Sequence, residues 1–297
     1  MTGDAASAAS GTLYLVSTPI GNMGDFSFRA VETLKEVALI LAEDTRHTRN
    51  LLDRYEIATP AAPYHEHNEA RQTPSLVRRL AAGDSIALVS DAGTPLLSDP
   101  GARLVRAAID AGVRVVPIPG SSALLSALVA SGLDTTRFTF FGFLTRTGGE
   151  RRAALDEITA TDHTVVLYEA ANRLASTLAA LDERGNGDRP AAVAREMTKQ
   201  FEEVARGTVR ELRAYYEERP PRGEIVLVIG GAPARAVSDE LVRERVRALR
   251  DAGMSARDAA TSVAGALGVS RRVAYRLAQS TAAGEGHAAD GEGDTKR

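Results

Sequence analysis

Short apolar runs alternate with longer amphipathic stretches, and that rhythm restricts the chain to few folds. Residues 13–16, 38–42, 86–89 and 113–118 read as strands. Between and after them, residues 28–37, 48–55, 75–82, 102–111 and 122–130 carry the helical spacing. Ser27 stands where an N-cap belongs, and Gly112 and Gly132 stand where helices close. Strands alternating with helices define an α/β domain with a mainly parallel sheet.

The second half changes the rhythm. Residues 138–143, 164–168, 191–195, 204–208 and 224–229 read as strands, with helices only at 173–183 and 211–218. Strand-to-strand steps mixed with strand-to-helix steps predict a second domain with a mixed sheet. The stretch "LTRTGGERR", 144–152, is expected to be a mobile loop. Three helices follow, over 239–250, 256–267 and 271–279, the last two capped by Ser255 and Ser270 and joined by Gly268-Val269. Helix, short glycine turn, helix is the helix-turn-helix pattern. From 235 to 276 there are nine arginines against five acids, a net of +4, in a chain whose overall charge is -3. This module therefore suits a polyanion, whereas the rest of the chain does not coat one.

The boundaries follow: a disordered N-terminus over 1–10, α/β domains over 11–120 and 121–234, a basic helical module over 235–280, and a Gly/Ala/acidic disordered tail over 281–297. With no cysteine, disulfides, thiolate metal sites and a Cys nucleophile are excluded. The start "MTGDAASAAS" lacks the basic and apolar regions of a secretory signal, and no apolar run reaches the ~20 residues needed to cross a bilayer. A cytoplasmic protein is expected.

Chemistry is expected at the carboxyl ends of the strands, where open α/β sheets bind ligands. Those ends read "STPIGN", "EDTRHT", "SDAGTP", "PIPGSSA", "YEAANR" and "AREMTK". None is a Walker loop or a G-x-G-x-x-G turn. Asp91 and Asp99 would repel a phosphate, so the loop from 90 to 100 suits a ligand bearing positive charge or hydroxyls. In the competing reading these residues only shape turns, and Asp99-Pro100 fits a helix start. His65-x-His67 has no evident third ligand, so no metal is expected. His47 and His163 carry no pattern.

The segments "LYLVSTPIGNMGDFSFRAVETL", "AEDTRHTRNLL", "SDAGTPLLSDPG", "PIPGSSALLSAL", "YEAANR", "AREMTKQFEE" and "RGEIVLVI" resemble, in this order, the tetrapyrrole-methylase superfamily. More narrowly they are similar to its branch that methylates the ribose 2′-oxygen of a cytidine in the decoding centre of 16S rRNA. The resemblance covers about 11–231. It implies two α/β domains of tetrapyrrole-methylase type with a donor-binding cleft between them, plus a small C-terminal helical (helix-turn-helix-like) module. It also implies S-adenosylmethionine as methyl donor, the 30S subunit as substrate, and a homodimer with no membrane and no required metal.

By the same resemblance, Pro19 and Gly21 match the cleft floor, Ser90, Asp91, Ala92, Gly93 and Thr94 the first donor loop, and Ser121, Ser122 and Ala123 the second. Glu169, Ala170, Arg195 and Glu196 match the adenosine side, although "YEAANR" stands where the family pattern is "YESPHR". A ribose hydroxyl is a weak nucleophile, so a base or nearby cation is expected. Glu43, Asp44 and Arg46 are candidates, with Asp44 or Thr45 alternatively a helix cap. Lys199 paired with Glu202 is another, against a plain solvated charge run. Arg29, Arg46 and Arg49 at the cleft mouth are candidate RNA contacts, against ordinary helix-face charges, and so are Arg271, Arg272 and Arg276 in the last helices, an RNA-docking module against a purely structural helical cap. Two rivals share parts of this pattern: a small-molecule tetrapyrrole methylase, and a DNA-binding regulator with an inactive α/β domain.

Overall fold

In the computed structural model, which describes residues 10–233 and 238–282, the first five strands form one parallel sheet. They are β1 (Thr12–Val16), β2 (Leu39–Ala42), β3 (Ala61–Pro63), β4 (Ile86–Val89) and β5 (Arg114–Ile118), in the order β3-β2-β4-β1-β5. Side chains alternate across this sheet as strand geometry requires. Ile40, Ala42, Ala87 and Val89 face one core with α1 (Phe28–Glu36) and α2 (Thr45–Arg54). Leu39, Leu41, Ile86 and Leu88 face the other with α3 (Glu69–Ala81) and α4 (Ala102–Asp110). Helices cover both faces, which is why these strands are apolar on consecutive residues.

Connectivity sets the position of the crevice. After β1 the chain crosses to β2 on one side; after β4 it crosses to β5 on the other. β1 and β4 are neighbours, with Val16 paired to Val89. The loops that follow them therefore part at a topological switch point, where such sheets bind ligands.

The second sheet holds β6 (Phe138–Phe143), β7 (Thr164–Ala170), β8 (Pro190–Arg195), β9 (Glu203–Thr208) and β10 (Glu224–Ile229), in the order β6-β7-β10-β8-β9. β6 and β7 are parallel and every other pair is antiparallel, so the sheet is mixed as expected. One face packs on α6 (Gly148–Ala160), α7 (Leu174–Leu181) and α8 (Val209–Glu218). The other packs on α5 (Ala123–Ser131), which leaves directly from the first sheet through its cap Ser122. Beneath this sheet Arg189 is buried without a carboxylate partner among the described residues. It donates to the carbonyls of Gly230 (2.7 Å) and Ile158 (2.8 Å) and to Asn186 Oδ1 (3.0 Å), and burial pushes its pKa down to about 10.

The chain divides into two compact units, 1–232 and 233–297, so both sheets share one unit. In the second unit α9 (Asp239–Asp251), α10 (Ala256–Leu267) and α11 (Arg271–Ala282) surround a small core of Val242, Val246, Val263 and Leu277. Gly268 takes the left-handed conformation that turns α10 into α11. Arg271, Arg272 and Arg276 are exposed. No helix among the described residues is long and apolar enough to cross a membrane.

Several expectations need correction. The segment 144–152 is not one loop: its second half opens α6, whose buried Leu155 and Ile158 lie beyond the two glycines that obscure the period. Helix α3 begins at Glu69 rather than 75 and runs through Pro74. The residue before a proline is biased away from helix, but here Thr73 is held by its hydroxyl on the carbonyl of Glu69 and by Tyr64. Strand β3 is too short to carry a pattern. Asp99-Pro100 does not cap α4; its N-cap is Gly101, which has no side chain to cap with. The expected disorder of 1–10 and 281–297 falls mostly outside the described residues, as does Arg235, but α11 extends to Ala282.

Candidate active site

Three loops of the first sheet are stitched together at its carboxyl end. Thr18 and Gly93 exchange backbone hydrogen bonds of 2.9 and 3.1 Å. Thr18 Oγ1 donates to the carbonyl of Ser90, and Ser90 Oγ donates to that of Gly93. Thr94 Oγ1 accepts from Ser17 Oγ and donates to the carbonyl of Ser121. Gly93, at φ +80°, sits against Ile20 and the Ser121 carbonyl, so a side chain there would be strained and crowded. Ser90, Gly93, Thr94 and Ser121 thus shape the loops, and Ser122 caps α5.

These loops face the second sheet across two adjoining cavities of about 200 and 250 Å³. The first is lined by Pro19, Gly21, His47, Ser90, Asp91 and Lys199. The second is lined by Asp99, Ala123, Tyr168, Ala170, Met197 and Val226, with Glu169 in its wall. Ile20, Ala92 and Glu224 border both, which makes one cleft of them.

Carboxylates gather at this cleft. Asp91 accepts from the amide of Asp44 at 3.1 Å. Asp99 is pushed up to about 6 by burial and by the neighbouring Glu43 and Asp91 charges, against a hydrogen bond from Ser90. Glu43 is raised by burial and by Asp91, with His65 opposing. The adjacent Asp44 turns outward. It caps α2 through the Arg46 amide (2.8 Å) and pairs with the Arg46 guanidinium (3.0 Å), which holds its carboxyl down at about 2. Asp44 and Arg46 therefore satisfy each other at the surface, and neither lines the cleft. Of that acid pair, Glu43 is the one that faces the carboxylate cluster.

Lys199 reaches the cleft from the second sheet's side. Its ammonium lies 2.9 Å from Glu196 and 3.1 Å from Glu224; burial opposes its charge, but these bonds outweigh it and raise its pKa. It is a fixed cation. Its expected partner Glu202 instead accepts from the Thr198 amide. Glu196 braces Lys199 and also accepts from the Glu224 amide.

Two residues expected on the adenosine side point elsewhere. Arg195 follows the cleft-facing Ala194 on β8, so its side chain turns to the other face and pairs with Glu203 at 2.9 Å. Glu169 is buried, and its carboxylate is occupied by Thr177 Oγ1 (2.6 Å), the Ala170 amide and Arg173. The side chain facing the cleft is the preceding Tyr168, which packs on Phe140 and Phe143. Sequence reasoning passed over His47, Thr48 and Asn50 as well; they sit together on α2 and line the first cavity. Their place on the helix that follows "EDTR" was the available signal. Arg29 is exposed on α1, and Arg49 is exposed and paired with Asp53. His65 bonds to Asn68, and no His/Asp/Glu group among the described residues is arranged to hold a metal ion.

A cleft between a parallel and a mixed sheet, floored by these loops, is the architecture of a known class. Residues 12–213 match the family described as Tetrapyrrole (Corrin/Porphyrin) Methylases. The uroporphyrin-III C-methyltransferase of Thermus thermophilus, solved with S-adenyl homocysteine, shares the fold at a TM-score of 0.53 and 20% identity, over 74% of this chain and 97% of that one. Ribosomal RNA small subunit methyltransferase I of Synechocystis sp. is 46% identical over 90% of this chain and 97% of its own length. That of Mesorhizobium japonicum is 47% identical over 89% and 90%. The chain belongs to the tetrapyrrole methylase family, and within it to the group of ribosomal RNA small subunit methyltransferase I.

Proposed function

We propose that this protein transfers a methyl group from S-adenosylmethionine to the ribose 2′-oxygen of a cytidine in the decoding centre of 16S rRNA, acting on the 30S subunit. The observation that carries the donor assignment is the carboxylate-lined cleft at the switch point. Bound there, the donor supplies an electrophilic methyl on a cationic sulfur. Asp91 and Asp99 complement a cation. Tyr168, Met197 and Val226 offer an apolar wall of the kind a purine packs on, in a cleft of ordinary small-molecule size. Lys199, Glu196 and Glu224 form a fixed charged edge where the donor's polar groups or the acceptor ribose are oriented. Alignment of donor and acceptor is the main contribution such a site makes, ~7–11 kcal/mol in ideal geometry.

Proton removal from the 2′-hydroxyl falls to the carboxylate cluster. Lys199 is held as a cation, and Asp44 and Arg46 are spent on each other. Asp99, raised toward neutrality and lining the cleft, is the carboxylate best matched to accept a proton near pH 7. Glu43 and Asp91 sustain that proton affinity through their charge.

A homodimer is part of this reading. Helix α5 carries apolar residues on two faces: Leu124 and Leu128 are buried, while Leu125 and Val129, one turn apart, are 51% and 72% exposed. A helix of that kind requires cover on both sides, and a second copy supplies it.

The test is methyl transfer from labelled S-adenosylmethionine to undermethylated 30S subunits, with the label mapped to ribose or base. Label on a decoding-centre cytidine ribose is expected. Tight donor binding with no transfer to 30S subunits or free 16S rRNA would replace this reading with a small-molecule methylase.

A further inference from the structure

Beside the cleft lies a larger open cavity of about 800 Å³ that the donor assignment does not use. Phe143 and Ala170 border both it and the donor cavity, so the two are side by side. Its polar lining is Arg146, Arg151, Arg173, Asn172 and Ser176, with no carboxylate among the described lining residues. Arg146, just after β6, is exposed and makes no hydrogen bond or ion pair with the described residues. Arg151, in the first turns of α6, donates to Thr177 Oγ1 (2.9 Å) and the Thr145 carbonyl, with no described carboxylate paired to it. Arg173 pairs with the buried Glu169 behind the wall. Three guanidiniums against one carboxylate leave this hollow with excess positive charge. Burial pushes Arg151 down, and the charges of Arg173 and Arg184 add to this against the opposing charge of Glu169.

We propose that this hollow is an anion subsite that holds a backbone phosphate of the acceptor RNA next to the nucleotide being methylated, with the exposed Phe143 at the shared rim stacking on a base. The inference rests on the RNA-methylating reading above. Arginine forks match phosphate oxygens bidentately, and a phosphate fixed one nucleotide from the ribose sets the register of the strand. Single-stranded RNA is gripped by this combination of cations and an aromatic face. The hollow belongs to the same compact unit as the donor cleft, so it positions the strand independently of the C-terminal helices.

The experiment uses full-length protein with Arg146→Ala, Arg146→Glu and Arg151→Gln, and Arg106→Gln on α4 as a remote control. KM for 30S subunits and Kd for a short decoding-centre RNA oligonucleotide are measured across salt, with donor Kd measured separately. Expected are at least a fivefold rise in KM and RNA Kd for Arg146→Glu, and a smaller rise for Arg146→Ala. The log-log salt slope should become shallower by ~0.7 for each single-strand phosphate no longer neutralised. Donor Kd should stay unchanged and the control should match wild type. Arg146→Ala removes an exposed side chain, so its folding is secure if Arg151→Gln proves unstable. Unchanged RNA Kd and salt slope in both Arg146 variants would overturn the subsite. Absence of methyl transfer by wild type bears on the functional reading alone, because oligonucleotide binding still decides the subsite.

Discussion

The backbone of Gly21 lies directly under the side chain of Lys199, so close that a Cβ on the glycine would overlap Cγ of the lysine. The loop after β1 and the loop after β8 meet at this point, and the Asn22 amide adds a 3.2 Å bond to Thr198 Oγ1. The lysine crosses bare glycine backbone and from there reaches Glu196 and Glu224. Gly21→Ala should therefore displace Lys199 and reshape the cleft floor. The expected result is at least a tenfold loss of donor affinity in titration calorimetry, with Tm lowered by only a few degrees. Retained affinity would show that Lys199 has no part in holding the donor.

Asp99 makes the protein sensitive to pH in a definite direction. Its folded pKa of about 6 lies above the ordinary ~3.9 of an unfolded aspartate. Between those values the native state binds more protons than the unfolded state, so stability is lost as pH rises from about 4 through 6. Asp99→Asn should remove that slope and stabilise the protein at pH 8, on the order of 1 kcal/mol after allowance for partial solvent screening. Methyl transfer by the wild type should rise through pH 6 as the carboxylate ionises, and Asp99→Asn should abolish the rise with most of the activity. Urea melts at pH 4.5 and 8, with a pH-rate profile, read both.

Arg189 is a structural cation. Its head ties β10's exit at Gly230 to the end of α6 at Ile158. Arg189→Met would leave these carbonyls buried without donors, at a cost of roughly 3 kcal/mol. Arg189→Lys should recover only part, because a point charge cannot reach three acceptors as the planar fork does. Denaturant midpoints at constant m-value measure the difference; a loss below ~0.5 kcal/mol would mean that water replaces the guanidinium.

The exposed pair Leu125 and Val129 bears on assembly. Substituting both with glutamate should convert a dimer to a monomer in sedimentation velocity without unfolding α5, whose inner face of Leu124, Ala127 and Leu128 stays buried. An unchanged sedimentation coefficient would place the dimer contact elsewhere or exclude a dimer.

Much of this protein was determined by local chemistry and is legible in its sequence. Short apolar strands, the caps Ser27, Ser255 and Ser270, and the stops Gly112, Gly132 and Gly268 depend on residues a few positions apart. The motif loops at the strand ends were legible too, because strand direction alone brings them to one edge. What only the tertiary structure decided is which side chain in each motif faces the ligand. "EDTR" offers two carboxylates, and a cap bond turns Asp44 out while Glu43 joins Asp91 and Asp99 from another strand. "YEA" offers Glu169, but strand alternation gives the cleft to Tyr168 and leaves the glutamate to Thr177. Lys199 finds Glu224, 25 residues away, rather than Glu202 nearby. Arg146 and Arg151 sit close together in the stretch after β6, and Arg173, just before α7, joins their cavity only because β6, α6 and α7 pack on one sheet. Sequence specifies the elements through neighbours along the chain. The partners of a charge are set by through-space distance, which sequence spacing does not encode.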